Sequence, residues 1–369
     1  MMKNILSTAF FLFSLFISTT AFGQELRIID SVNFNIHLQA YTAYFDDHFE
    51  LQENVPRTGI WLNRAVGNEI EIFGRLEFGV NLAKGNSFNN NNNSASDFFD
   101  DPFDVPTAFT SRLGYLGIYH PVYGSISMGK QWGTYYDIGG YTDAFTVFGG
   151  NAVDVYSGNT DGGWKGTGRA DRDLVYRNKF GNLRIGLQTQ LFSTHSNYGA
   201  SATYGITQEL EVGAAFNRAT FPDEYQAIIP GLNYHSDNYL FGAKYSGDRL
   251  YTALTYAHIE DHFYRIDEDA TVTFPVWGME YILQYRFTDR FRAETGFNIQ
   301  KETDHNEALD EKYKLLQYYM GINYFFGEQF SVYLSARIDD SRLVPEEDQA
   351  NVILIGFSYD LVYGKKFGQ

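Results

Sequence analysis

Hydrophobic and polar residues alternate with a period of two along most of the chain. In the last run of this kind, 351–361, the odd positions from Ile353 to Leu361 are apolar, whereas Gly356, Ser358 and Asp360 fall on the opposite face. Such alternation predicts a β-strand with one apolar and one polar face. Sixteen runs are present, at 32–46, 56–66, 69–83, 109–119, 124–134, 173–180, 183–192, 198–206, 210–220, 238–246, 249–260, 276–287, 291–303, 313–326, 330–341 and 351–361.

The connections between these runs differ in length in a regular way. Tight turns with residues that tolerate a positive φ or cap their own backbone occur at 67–68, 181–182, 207–209, 288–290 and 327–329. Longer polar stretches lie between them, at 84–108, 135–172, 221–237, 261–275, 304–312 and 342–350. Short turns at one end and long loops at the other predict an all-β fold, a transmembrane antiparallel β-barrel of 16 strands, closed because unpaired strand edges cannot face lipid. A soluble β-sandwich is the alternative, but it would not require this alternation of loop length.

The N-terminus has the layout of a secretory signal peptide. Lys3 supplies a positive charge, 5–17 is apolar, and the small residues Ala21 and Gly23 precede the expected cleavage site. An N-terminal membrane anchor is the alternative, but the apolar segment is too short to span a bilayer. We therefore predict a signal peptide at 1–23 and a single barrel domain at 24–369.

Composition and charge exclude several functions. Aromatic residues make up 17% of the chain and cysteine is absent, which suits a membrane barrel and argues against a disulfide scaffold, a structural zinc site or thiol catalysis. The 28 Lys and Arg against 45 Asp and Glu give a formal charge of −17, so nucleic acid is not an expected partner. Acidic clusters at 260–261, 267–269 and 346–348 are predicted to be solvated loops.

The most informative stretch lies between residues 110 and 178. It contains an ordered motif: T-S-R-L-G at 110–114, G-K-Q-W-G-T-Y-Y-D at 129–137, G-Y-T-D at 140–143, F-G-G at 148–150 and Y-R-N at 176–178. This motif resembles that of the general diffusion porins of Gram-negative outer membranes. The resemblance implies that a third extracellular loop, 138–165, folds into the barrel and narrows the pore.

The resemblance also implies which side chains line the constriction. Three wall arginines, Arg57, Arg112 and Arg169, would face the loop carboxylate Asp143, and the wall residue Glu77 would contact the loop. The other implied constriction residues are Lys130, Trp132, Tyr136, Phe148, Gly149 and Gly150. An ordinary surface hairpin with scattered charges is the alternative. Water in a channel can solvate such charges, whereas a packed core would destabilise them, and the paired glycines at 139–140 and 149–150 give the backbone freedom to bend inward.

One departure from the family motif changes the expected ion preference. Thr146 and Val147 stand where the motif has Pro-Glu, so one loop carboxylate is missing, and Lys130 replaces an arginine. Because rings of like charge exclude ions of the same sign, we expect weak anion preference or near-neutral selectivity.

Catalytic and metal sites are weakly supported. His258 and His262 flank two acids, but the zinc-protease motif requires Glu directly after the first His, so solvated loop residues are the prediction. His195 lies beside Ser193 and Ser196, a common occurrence in short polar loops. No catalytic residue, metal ligand or cofactor is predicted.

Together these features predict an outer-membrane channel for passive diffusion of ions and small hydrophilic solutes, not an enzyme. A substrate-specific channel for sugars or anions, or a barrel enzyme, remain alternatives. The resemblance implies a homotrimer that contacts outer-membrane lipid and lipopolysaccharide and is assembled by the barrel-assembly machinery. Loop 84–108, with Phe98, Phe99 and Phe103, would latch onto a neighbouring subunit. The last strand is predicted to end at Leu361, with 362–369 beyond it and Phe367 as a substitute terminal aromatic.

Overall fold

A computed structural model describes most of the chain. The described residues are 29–80, 109–157, 160, 168–190, 197–265, 271–306, 309, 311–342 and 350–366. Several predictions fall outside them, namely the signal peptide at 1–23, the latch loop at 84–108, the end of loop 138–165, the acidic clusters at 267–269 and 346–348, the serine–histidine group at 193–196, and Phe367.

Strands make up nearly all of the regular structure. The described residues form β1 (Ser31–Phe45), β2 (His48–Glu53), β3 (Arg57–Gly67), β4 (Ile70–Val80), β5 (Phe109–His120), β6 (Gly124–Trp132), β7 (Arg169–Phe180), β8 (Leu183–Gln190), β9 (Asn197–Gly205), β10 (Leu210–Thr220), β11 (His235–Ser246), β12 (Leu250–Arg265), β13 (Thr271–Thr288), β14 (Phe291–Glu302), β15 (Lys314–Phe325), β16 (Phe330–Asp339) and β17 (Val352–Lys366). Two short helices, α1 (Tyr136–Gly139) and α2 (Asp223–Gln226), lie in connections. No helix in the described ranges is long and apolar enough to cross a membrane.

The sheet closes on itself as a 16-stranded antiparallel barrel, which confirms the predicted fold class. Strands β2 and β3 count as one barrel strand because both pair with β1, at 40–45 and 31–37 respectively. Between them the backbone kinks at Val55, whose φ is 45°. Closure comes from antiparallel pairing of β1 with β17, which runs from Ser31 opposite Lys366 to Tyr44 opposite Ile353.

The two faces of the barrel wall differ in the way the alternation predicts. On β17, Ile353, Ile355 and Phe357 are exposed, whereas the residues between them are buried. On β13, the side chain of Glu280 is buried on the inner face of the wall, opposite to the face that carries the exposed apolar side chains. Apolar groups therefore face outward, as expected of a barrel that faces lipid, whereas the inward positions carry polar residues such as Glu280 together with buried apolar ones such as Leu354.

Several strand boundaries differ from the sequence prediction, among them the end of β12 at Arg265 and the start of β13 at Thr271. Strand β2 occupies 48–53, so the first connection is a two-residue turn at 46–47, where both aspartates have a positive φ. Strand β7 begins at Arg169 rather than at 173, with a positive φ at Arg172. Strand β17 continues five residues past Leu361 to Lys366, because each of these residues pairs with β1.

Candidate channel constriction

The segment 133–157, the first part of the connection from β6 to β7, lies against the inner face of the barrel wall. It contains α1 and then continues to Ser157 without further regular structure. Its buried side chains Ile138 and Val147 belong to one hydrophobic cluster with Leu240 of β11 and Ile282 of β13. The segment and the wall formed by β11 and β13 therefore share a core.

Two inner-face carboxylates bind the backbone of this segment. Glu280 accepts hydrogen bonds from the amide of Ala152 at 2.7 Å and from the hydroxyl of Thr142 at 2.6 Å. Glu294 of β14 accepts one from the amide of Thr146 at 3.0 Å. Because each carboxylate satisfies an otherwise unpaired backbone amide, losing either one would leave a buried donor without an acceptor.

Side-chain amides bind the carbonyl groups of the same segment. Gln39 of β1 and Asn54, between β2 and β3, both donate to the carbonyl oxygen of Thr146 at 2.9 Å. Gln284 of β13 donates to that of Ala144 at 2.7 Å. Donors from several strands around the barrel thus fix the middle of the segment.

Glycines allow the closest approaches between segment and wall. A Cβ atom at Gly278 of β13 would lie 1.5 Å from the carbonyl oxygen of Ala152, so no larger residue fits without displacing the segment. Gly149 and Gly150 have φ angles of 112° and 83°, a conformation that other residues rarely adopt. These positive φ angles bend the backbone at the two positions where the sequence predicted that glycines would allow the segment to turn inward.

A stack of a cation and two aromatic rings forms where the segment leaves β6. The Arg169 guanidinium lies 4.7 Å from the ring centroid of Trp132. Trp132 in turn stacks on Tyr136, with a centroid separation of 3.9 Å and an interplanar angle of 18°. Arg169 is almost fully buried, so the stack holds its charge in place at the inner wall.

The loop carboxylate Asp143 is held by two tyrosines. The hydroxyls of Tyr136 and Tyr156 donate to its Oδ2 at 2.7 Å and 2.5 Å. Burial and the neighbouring Asp143 carboxylate raise the pKa of both tyrosines well above the usual value, so both remain protonated donors. Asp154, another acid of the same segment, lies 2.9 Å from Nδ1 of His262.

The predicted wall glutamate is paired with arginines. Glu77 of β4 accepts from Arg112 of β5 at 3.0 Å and from Arg75 at 2.7 Å. The resemblance implied that Glu77 contacts the loop, whereas both of these hydrogen bonds come from the wall. Arg57 lies on the neighbouring strand β3 and donates to the carbonyl oxygen of Val55 at 3.3 Å. Arg57, Glu77 and Arg112 thus come together on three successive strands.

Two predicted residues lie away from these groups. Lys130 of β6 forms an ion pair with Asp171 at 3.4 Å. Phe148 is buried and stacks on Tyr319 of β15, with ring centroids 5.4 Å apart. The sequence-predicted residues therefore form a wall cluster, a stack around Asp143, and these two separate contacts.

The sequence reasoning did not identify the residues that hold the segment, chiefly Glu280, Glu294, Gln39 and Tyr156. One sequence feature could have revealed Glu280. It occupies an inward position of β13, whose other inward residues are mostly apolar or glycine, and an acid there needs a buried donor.

The prediction of solvated loop residues at 258–262 is wrong. These residues lie within β12, which bulges between Ile259 and His262. Asp261 is fully buried and accepts hydrogen bonds from the backbone and side chain of Asn233 at 3.1 Å. The physical reason is that the strand extends beyond 260, so that its inward acids find donors inside the barrel. Within the described ranges, no group of three or more potential ligands could hold a metal ion.

Known proteins resemble this chain over most of its length. A family model described as Gram-negative porin matches residues 45–359. Outer membrane porin F of Xenorhabdus nematophila is 25% identical over 339 residues, covering 83% of this chain and 85% of that protein. The structure of Salmonella typhi OmpF in complex with daunomycin superposes with a TM-score of 0.72 at 18% identity, covering 89% of this chain and 97% of that one. In vitro folded OmpT of Vibrio cholerae, in its trimer form, gives a TM-score of 0.64 at 15% identity and covers 89% and 99%.

Proposed function

Because this chain belongs to the Gram-negative porin family and is an outer-membrane channel for passive diffusion, we propose that segment 138–165 forms the narrowest point of its pore. The observation that carries the proposal is the fixation of the described part of that segment. Glu280, Glu294 and Gln39 bind its backbone from three strands of the inner wall. A segment held in this way keeps the cross-section of the pore constant.

The proposed constriction has opposite charges on its two sides. Arg57, Arg112 and Arg169 lie on β3, β5 and β7, whereas Asp143 belongs to the segment. Glu77 neutralises part of the arginine charge, and Tyr136 and Tyr156 disperse the charge of Asp143. Small hydrophilic solutes would pass through water between these groups, and size together with this transverse field would select among them.

Planar-bilayer recording of the purified protein tests the proposed constriction. We expect stable conductance steps for the unaltered chain and larger, noisier steps when 144–152 is replaced by a short Gly-Ser linker, because the obstruction is removed. The Gly327→Ala substitution in a turn at the barrel end is the matched control, since no atom other than those of its two chain neighbours lies within 4 Å of its Cβ position. Equal conductance in all three proteins would exclude the segment from the conducting path.

For ion selectivity we propose weak anion preference or near neutrality. Position 147 holds a fully buried valine in place of the acid of the family motif, so no carboxylate compensates the wall arginines there. The reversal potential in a salt gradient measures the preference directly. A strongly cation-selective channel would contradict the proposal.

We further propose a homotrimer embedded in outer-membrane lipid and lipopolysaccharide. The trimer form of OmpT supports the assembly, and exposed apolar side chains on the outer face support lipid contact, among them Leu116, Met128, Phe241, Ile355 and Phe357. We expect conductance steps that close in groups of three and a heat-sensitive trimer on electrophoresis.

The latch role of loop 84–108 has its own test. Deleting 90–100 should weaken the trimer if this loop is the latch, and an unchanged trimer would refute the latch.

Export is also part of the proposal. Residues 1–23 would be removed as a signal peptide, and the barrel-assembly machinery would then insert residues 24–369 as one domain. N-terminal sequencing of protein taken from outer membranes should begin at Gln24.

The relatives of this chain are channels, and we propose that this chain has no enzymatic activity.

A further inference from the structure

His37 lies in a row of charged side chains at the seam where the barrel closes. In the pairing register it is opposite Asp360 of β17 on one side and opposite Arg57 of β3 on the other. Its side chain is 14% exposed and that of Asp360 is 54% exposed. The row is therefore open to the interior and includes one of the proposed constriction arginines.

Both ring nitrogens of His37 face oxygen acceptors. Nδ1 lies 2.7 Å from Oδ1 of Asp360, and Nε2 lies 3.1 Å from Oε1 of Gln39. A neutral imidazole has only one N–H donor, so it can satisfy one of these contacts and must direct a lone pair at the other oxygen. The doubly protonated, positively charged ring satisfies both.

The orientation of the Gln39 amide is fixed by its other contacts. Its Nε2 donates to the carbonyl oxygen of Thr146 at 2.9 Å, and its Oε1 accepts from Asn54 at 3.2 Å. Rotating the amide to present Nε2 to His37 would break both hydrogen bonds. The oxygen facing His37 is thus imposed by the segment that narrows the barrel.

We propose that His37 is a specificity-determining cation of the channel wall, which when protonated adds a positive charge beside Arg57 and, through Gln39, braces Thr146. This inference rests on the proposed constriction. Imidazole is the side chain that ordinarily changes charge between about pH 5 and 8. Because oxygen acceptors on both ring nitrogens favour the protonated ring, the anion preference of the channel should rise as the pH falls.

The charged groups around His37 are few among the described residues. Asp360 faces it from β17 and Arg57 from β3, and Arg57 itself interacts with Asp360, Glu77 and Arg112. Carboxylates and guanidinium groups ordinarily keep their charge between about pH 5 and 8. His37 is therefore the member of this row whose contacts on both ring nitrogens favour an added proton.

Reversal potentials of the full-length protein in planar bilayers, measured in a potassium chloride gradient from about pH 8 to about pH 5, test the proposal. In the unaltered chain we expect the anion-to-cation permeability ratio to rise on the order of two- to five-fold, the effect of one added charge several ångströms from a passing ion. His37→Gln should lose this rise. His37→Lys should show a high ratio across the whole range.

Two histidine variants serve as controls. His120→Gln alters an imidazole at the end of β5, and His262→Gln alters the one bound to Asp154. Both should keep the rise in permeability ratio. The proposal is overturned if His37→Gln keeps the full rise, or if His262→Gln abolishes it instead. Unchanged step conductance in His37→Gln together with a lost pH dependence of the ratio separates this inference from the proposed constriction, which is tested by the step size of the 144–152 replacement.

Discussion

Thr146 and Val147 are the two departures from the family motif that bear most directly on the proposed constriction. Proline, which the family motif has at the first position, could not donate to Glu294, whereas the Thr146 amide does so at 3.0 Å. Val147 is fully buried and joins the hydrophobic cluster that holds the segment to the wall. At this site a buried anchor stands where the family motif has a carboxylate, which is the basis for the weak anion preference or near neutrality proposed above.

Gly278 is the residue whose substitution should be most informative about this anchoring. Gly278→Ala places a Cβ atom 1.5 Å from the Ala152 carbonyl oxygen, so the segment must move away from β13. We expect a loss of about 1–3 kcal/mol in unfolding free energy, as for other overpacked sites, together with an altered single-channel conductance.

The matched control for Gly278→Ala is Gly327→Ala, where the added methyl group meets no atom within 4 Å apart from those of the two chain neighbours. Thermal unfolding in detergent and bilayer conductance should both be unchanged in that variant. If the two variants behave alike, the contact between β13 and Ala152 does not fix the segment.

At the scale of elements, the sequence predicted the strands because apolar and polar residues alternate along most of them. It missed the hairpin of β1 and β2, because the turn at 46–47 uses two aspartates with positive φ where glycine or asparagine is usual. It placed the start of β7 too late, because the positive φ at Arg172 interrupts the alternation there. The alternation of apolar and polar residues did not predict the irregular backbone at these positions, because irregular backbone depends on tertiary contacts.

The site was predicted less completely than the fold. Trp132, Tyr136 and Asp143 come together because they are close in sequence and belong to one motif. Glu280 and Glu294 bind the same segment from strands more than 130 residues further along the chain. Their role depends on barrel closure, which brings distant strands opposite the segment and which a local motif does not encode.

Shortening β17 should show how much its pairing with β1 contributes to closure of the barrel. Truncation after Leu361 removes the five register pairs that join Asn35–Ser31 of β1 to Val362–Lys366. Because strand edges cannot face lipid unpaired, closure of the barrel should weaken, and the temperature at which the folded form is lost on electrophoresis should fall.

The control for this truncation is deletion of 367–369 alone, which leaves every described pair of β17 in place. That protein should unfold at the same temperature as the full chain. An equal fall in both proteins would assign the effect to the chain end and not to the pairing of β17 with β1.

For the whole molecule, net charge and channel charge have different consequences. The chain carries a formal charge of −17, yet Arg57, Arg112 and Arg169 lie on the wall that faces Asp143 in the proposed constriction. Charges far from the ion path are screened over about 10 Å at 0.1 M salt, so the side chains at the narrowest point dominate selectivity. Selectivity should therefore follow single residues near the constriction and be insensitive to the overall acidity.

The Asp143→Asn substitution tests whether selectivity depends on charges near the constriction or on the net charge of the chain. The amide oxygen can still accept from Tyr136 and Tyr156, so the geometry is kept while one negative charge is lost. The anion-to-cation permeability ratio should rise about two-fold at about 0.1 M salt and be nearly unchanged at about 1 M, where screening acts within about 3 Å. Asp289→Asn, in the turn between β13 and β14, makes the same change in net charge far from the constriction and should have no effect on the ratio. Equal shifts in the two variants would mean that overall charge sets selectivity, whereas a shift in Asp143→Asn alone would locate it at the segment that narrows the barrel.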